Sequence, residues 1–385
     1  VQTSGLAISG SSPGPTNYLA VTEAWDGSSW TEVADLASAR SQTGGTGVST
    51  LAIAFGGSPG DIGTLTEEFT AAGVTDTIKN EGQVYYNSAS NVLKLTSTVF
   101  GTGTWASGNS MSTARGVFAG FGIQTASLAA SGYNDTNSPP ITVNSEEYNG
   151  TSWSEEANVN TARYGHKGCG TTTAGLIYGQ IVNPSTVGGL TEEWNGSSWS
   201  ELNDMNTGRG NSGTAGGGTT EATFVVSGQV SPSSYPANTE TWNGTSWTEV
   251  NDINTARRTL PGFGVSTAAI VAGGSSPSIL VESWDGTSWS EITELNTASN
   301  DSAASGIQTN GLVFGGSPNI ARTEAWNGSS WTEVADLATG RPGLGGSGTA
   351  TSALAFGAEF ANASKNVTEE WTVPSSVSNL TVGTS

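Results

Sequence analysis

The chain is poor in the residues from which most catalytic sites are assembled. Its 385 residues include one cysteine, Cys169, and one histidine, His166. A single cysteine cannot form an intrachain disulfide, so the disulfide framework of small secreted domains is excluded. One His and one Cys cannot supply a His- or Cys-rich zinc or copper sphere, and no metal or cofactor is expected. Positive charge is also scarce: 12 Lys and Arg stand against 33 Asp and Glu, for a formal net charge of −21. Recognition of nucleic acid or anionic membrane needs a basic footprint, so neither is expected as a partner. No apolar run approaches the roughly 18 residues of a membrane span. The sequence begins at Val1 rather than Met and shows no signal peptide within it, so a processed or truncated start is expected. Leu, Ile, Val and Phe number only 69, a level that with this net charge usually marks disorder.

Against disorder stand 13 tryptophans, because disordered chains are poor in aromatics. Their positions repeat. VTEAWDGSSWTEVADLASAR at 21–40 returns as LTEEWNGSSWSELNDMNTGR at 190–209 and as TEAWNGSSWTEVADLATGR at 323–341. The leading aromatics are Trp25, Phe69, Tyr148, Trp194, Trp242, Trp284, Trp326 and Trp371, most of them 42 to 48 residues apart. The full aromatic pairs are Trp25–Trp30, Trp194–Trp199, Trp242–Trp247, Trp284–Trp289 and Trp326–Trp331. Between the two aromatics lies W-[ND]-G-[ST]-S-W, whose Asn-Gly or Asp-Gly step tolerates positive φ and signals a tight hairpin. Each unit reads as four strands: a Gly/Ser-rich segment, an apolar run ending in glycine, a TEEW strand and a SWTEV strand. Four strands in roughly 45 residues, repeated in tandem, predict an all-β propeller of four-stranded blades.

The unit resembles the kelch repeat, with an Arg entering the first strand (Arg40, Arg115, Arg163, Arg209, Arg257 and Arg341) and a glycine doublet closing the second (Gly56–Gly57, Gly273–Gly274 and Gly315–Gly316). Ser299 replaces one Arg. The resemblance implies a kelch-like β-propeller over residues 1–385. Eight blade-equivalents are expected, closed by strands from both termini; seven blades plus a tail is the alternative. Trp105 is read as the fourth strand of the second blade, so 71–104 becomes a hairpin flap inserted there, with two strands around residues 88–91. VSNLTV at 377–382 is read in the fourth-strand position after Trp371. The wording TEEWNGTSW…NTAR and the flap also resemble repeat proteins on the virions of marine tailed bacteriophages.

Chemistry is sparse. His166 sits in YGHKGCG, a strand context with no activating motif, so no catalytic residue is assigned. The copper-radical oxidases that share the kelch propeller need several histidines and do not transfer. The W-D-G turn differs from the sialidase Asp-box because Asp26–Gly27 and Asp285–Gly286 are adjacent. The sequons at Asn149, Asn195, Asn243 and Asn327 share their turn position with these Asp residues, which favours a backbone role. Adjacent glutamates such as Glu192–Glu193 point to opposite faces of a strand and cannot flank one bond. One of each pair is expected to meet a repeat Arg; six Arg around the axis could alternatively hold an anion. Recognition is expected in the variable loops between second and third strands, where Tyr133, Asn134, Asp135 and Tyr235 are candidates to stack on and hydrogen-bond a sugar. The sequence points to a non-enzymatic structural or adhesive protein on a phage virion, contacting other virion or surface proteins or a host-surface glycan. The alternative is a secreted or cell-surface bacterial glycan-binding propeller. Oligomeric state is left open.

Overall fold

The computed structural model describes residues 4–12, 17–49, 51–58, 65–70, 84–87, 92–134, 140–183, 186–214, 218–275, 278–358 and 366–381. Among the described residues there is no helix, and the strands form nine sheets, six of four strands and three of three. Eight of the nine carry the repeat, as expected for eight blade-equivalents. The chain divides into two compact units, residues 100–376 and residues 1–99 with 377–385.

The unit 100–376 contains all six four-stranded sheets, numbered here as blades 1 to 6: residues 119–156, 167–201, 213–250, 262–291, 303–334 and 345–372. In every blade successive strands pair antiparallel. The six first strands touch their neighbours in a cycle, blade 1 meeting blade 6 as well as blade 2. Trp105 closes this ring. Its strand, Thr104–Gly108, is the fourth strand of blade 6, with Trp105 opposite Trp371. It is therefore not part of the second repeat, where local spacing from Phe69 had placed it. Ser375–Thr381 correspondingly does not take the fourth-strand position; it joins the sheet of Val92–Phe100 and Val84–Asn87.

Glycine in the first strands lets the blades approach the axis. A Cβ on Gly120 would lie 2.6 Å from the Phe356 ring of blade 6, and one on Gly168 2.7 Å from Phe121 of blade 1. Tryptophan then seals the blades together. Third- and fourth-strand rings stack within a hairpin, as in Trp242–Trp247 at 5.4 Å. The fourth-strand ring also reaches the preceding blade: Trp247 meets Tyr178 edge-on at 5.0 Å, and its Nε1 donates to the Thr191 hydroxyl at 3.0 Å. Trp289 repeats the arrangement on Phe224 and Thr239. Each indole thus buries its ring while its one donor is satisfied. This geometry explains how so few aliphatic residues suffice for a core.

The repeat arginines form the second packing device. Arg115, Arg163, Arg209, Arg257 and Arg341 are buried and pair with Glu146, Glu192, Glu240, Glu282 and Glu369 of the same blade. Where the third strand carries a Glu doublet, as at Glu146, Glu192 and Glu369, the pairing glutamate is the first of the two, and in each blade its carboxylate also accepts from the loop that delivers the Arg; Glu240 takes the amides of Asn206 and Thr207 at 2.8 and 3.1 Å. Burial pulls the Arg209 guanidinium below its ordinary range, while Glu240 opposes that shift. The arginines lie inside the blades with their own counter-charges, not around an anion at the axis.

Blade 5 lacks this Arg. Glu324 remains 3% exposed, held by the amides of Asn296 and Thr297 at 2.9 and 3.1 Å. Ser299 and Glu324 help line a residual cavity of about 10 Å³. Ser299→Arg is expected to stabilise the unit by about 1 kcal/mol, read as a higher urea midpoint. Ser299→Met, similar in reach but uncharged, should give no gain.

In the smaller unit, Gly5–Ser11, Tyr18–Trp25 and Trp30–Glu32 form one three-stranded sheet, and Gly44–Val48, Leu51–Phe55 and Thr66–Thr70 another. Arg40 is buried here too and pairs with Glu67. Of the expected flap, 71–83 and 88–91 lie outside the described residues. The strands Val84–Asn87 and Val92–Phe100 do pair as an antiparallel hairpin.

Candidate functional site

The propeller presents two different ends. At the end bearing the long loops, the second residue after each repeat Arg position takes a left-handed conformation: Val117, Gly165, Asn211, Thr259, Asp301 and Gly343 all have φ between 50° and 67°. These six residues form a closed circle of backbone hydrogen bonds. Val117 donates to Gly343 (2.8 Å), Gly343 to Asp301 (2.8 Å), Asp301 to Thr259 (3.3 Å), Thr259 to Asn211 (2.7 Å), Asn211 to Gly165 (2.6 Å) and Gly165 to Val117 (2.7 Å). Val117 and Thr259 are β-branched and strained in this region of φ, so the circle holds them against their preference.

Inside the circle lies a cavity of about 40 Å³, whose lining includes His166, Lys167, Asp301 and Ser302. Burial lowers the Lys167 ammonium, opposed by Asp301; burial raises the Asp301 carboxyl, opposed by Lys167 and Arg258. His166 is buried, with Nε2 2.9 Å from the Ala130 carbonyl. Burial and the nearby Arg163 push it well below its ordinary range, so it is neutral. Its Nδ1 has no hydrogen-bond partner among the described residues. Cys169 is buried and its thiol is pushed up to about 12, so it carries no thiolate at neutral pH. Among the described residues no group of His, Cys, Asp and Glu is placed to hold a metal.

Around this neck sit the loop residues singled out from the sequence. They fall on separate blades. Tyr133, in blade 1, is half-buried and meets Tyr164 of the next repeat edge-on at 5.5 Å. Asn134 is 4% exposed, so it is not available on the surface to hydrogen-bond a sugar, correcting that expectation. Asp135 lies outside the described residues. Tyr235, in blade 3, donates its hydroxyl to the Pro232 carbonyl at 2.9 Å. The Arg258 guanidinium lies over its ring at 4.9 Å and donates to Gln229 Oε1 at 2.6 Å. The arrangement is therefore two aromatic stations, Tyr133–Tyr164 and Tyr235–Arg258. Sequence reasoning missed Tyr164 and Arg258. Both directly follow a repeat Arg, at a position that varies from Gly116 to Pro342 while its neighbour repeats, and that variability was the available signal.

At the opposite end a funnel of about 410 Å³, lined by no charged residue among those described, opens between the first-to-second-strand turns, with Ile123, Val265 and Ile307 exposed at its rim. The third-to-fourth-strand turns use the Asx side chain as a backbone acceptor. Asn195 Oδ1 accepts the amides of Ser197 and Ser198, each at 3.0 Å, and Asp285 accepts those of Thr287 and Ser288 at 2.8 Å. Asn and Asp are interchangeable because the backbone amides use only Oδ1, which the two side chains share. Amide donors from Ser288 and Thr287 hold the Asp285 carboxyl below its usual range.

No protein-family model matches the sequence, and no curated protein matches it. Among solved structures, one titled "Structure of YjhT" is similar to this chain, with 11% identity and a TM-score of 0.54, covering 69% of this chain and 99% of that one. At that identity the likeness speaks to the fold alone, a propeller-like all-β architecture.

Proposed function

We propose that the protein is a non-enzymatic structural or adhesive component displayed on the virion of a tailed bacteriophage. In this reading the kelch-like propeller is a rigid platform, and its long-loop face contacts other virion proteins or the host surface. The observation that supports it best is the pair of aromatic stations set on a hydrogen-bonded circle, beside a buried His and Cys that lack the surroundings of a nucleophile. Aromatic faces backed by fixed amide and guanidinium groups suit recognition more than bond making. The resemblance of the repeat wording to virion proteins supplies the viral context. In purified virions the protein should occur at a fixed, symmetric copy number; consistent absence from the particles overturns the reading.

The aromatic stations also favour a second reading, a secreted or cell-surface glycan-binding propeller. On a glycan array, Tyr133→Ala and Tyr235→Ala should each weaken a retained glycan by about 1–2 kcal/mol, or roughly five- to thirtyfold. No retention of any glycan by the parent protein counts against both glycan readings and leaves protein contacts.

A further inference from the structure

The ring of six blades shows what covers each side of a blade. At three junctions the fourth-strand Trp packs on an aromatic of the second strand of the preceding blade: Trp247 on Tyr178, Trp105 on Phe314 and Trp153 on Phe356, each pair at 5.0 Å. The same indoles donate Nε1 to a threonine that opens the third strand of that blade: Thr191, Thr323 and Thr368, at 2.9–3.0 Å. Covered in this way, Trp153 and Trp247 are 8% and 5% exposed, while Tyr178, Phe314, Phe356 and the three threonines are at 0%.

The two repeat-bearing sheets of the smaller unit carry the same groups without the cover. Trp30 occupies the fourth-strand position and stacks on Trp25 at 5.5 Å as its counterparts do, yet it is 50% exposed. Phe55 closes the second strand of the following sheet, at the position of Tyr178, Phe314 and Phe356, and is 45% exposed. Thr66, at the position of Thr191, Thr323 and Thr368, is exposed as well. The two halves of one interface are thus uncovered on a single unit: an indole from the earlier sheet, and the aromatic and hydroxyl from the later one. They are complementary to each other, not to themselves, and such a pair generates a head-to-tail contact between copies.

We infer that the smaller unit assembles with further copies of this chain, Trp30 of one copy packing on Phe55 and donating to Thr66 of the next. The same repeat closes a circle with six blades in residues 100–376. With two such sheets per copy, closure needs three copies, and the protein is a head-to-tail homotrimer. The contact continues one that the larger unit already makes at three of its blade junctions. It does not depend on the virion reading, because it is tested on the isolated chain.

Light scattering on the size-separated full chain at micromolar concentration should give three times the 39.0 kDa of one chain. Trp30→Ser and Phe55→Ser should each give monomers, with the thermal transition of the larger unit unchanged. Ile307→Ser, at a residue 58% exposed on the propeller, should remain trimeric. Mixing the Trp30→Ser and Phe55→Ser chains is the deciding arm. Each mixed pair retains one intact Trp30–Phe55 contact and should form a dimer that cannot close; that dimer also shows that both variants are folded. A parent mass other than three chains, trimers that survive both substitutions, or a mixture that stays monomeric overturns the inference.

Discussion

Arg209→Met should lower the unfolding free energy of the propeller unit by about 3–5 kcal/mol, the cost of leaving one member of a buried ion pair alone. The side chain is fully buried and ties three places together. It bonds Glu240 in the third strand, the Thr207 carbonyl at 3.1 Å in its own loop, and the Asn238 carbonyl at 2.6 Å ahead of the third strand. Methionine fills much of the volume but supplies no donor, so the Glu240 charge and the two carbonyls lose their partner. Most of the loss should trace to the stranded charge. Adding Glu240→Gln removes that charge and keeps an acceptor for the amides of Asn206 and Thr207. The double variant should therefore recover more than half of the deficit. Urea midpoints of the parent, both single variants and the double variant measure the coupling. A deficit in Arg209→Met below about 1 kcal/mol, the scale of an exposed pair, would mean that the pair contributes as surface bridges do.

The repeat made the blade readable, because every device within it is local. The Asx turn, the Trp–Trp hairpin and the small first strand all fall within one 45-residue window. The Arg–Glu pairing was accessible too, since alternation along the TEEW strand sends only one glutamate inward. The position of Trp105 could not be read the same way. Its strand lies 36 residues after Phe69 and 266 before Trp371 in sequence, yet it completes the blade of the latter. Sequence proximity favoured the wrong neighbour, and only closure of the ring selects between them. The candidate site was less legible again. Tyr133 and Tyr235 were found because aromatic residues in variable loops stand out, but the loops do not reveal which way each residue turns. Asn134 turned inward. Tyr164 and Arg258 gain meaning only once the loops are folded against the strand that follows the repeat Arg, as the 5.5 Å and 4.9 Å contacts show.

Closure of the ring carries the second large effect. Blade 6 is built from both ends of this unit, Thr104–Gly108 pairing with Thr368–Thr372, so no chain connection joins those ends and strand pairing and side chains must hold this seam. Trp153 is central to it: its ring lies 5.0 Å from Phe356 of blade 6 and 5.2 Å from Tyr148, and its Nε1 donates to Thr368 at 2.9 Å. Trp153→Ala should cost about 3–5 kcal/mol, as expected for removal of a buried indole. Trp153→Phe keeps a ring against Phe356 but forfeits the donor to buried Thr368, and should cost about 1–2 kcal/mol. Location separates this prediction from a general loss of core. Hydrogen exchange in Trp153→Ala should rise first along Thr104–Gly108 and in blades 1 and 6, while blades 3 and 4 keep their protection. In Trp247→Ala, which removes an equivalent indole between consecutive blades, the global cost should be similar, but the early exchange should fall in blades 2 and 3. Uniform exchange across all six blades in both variants would show that the ring opens as one cooperative body, with no seam weaker than the rest.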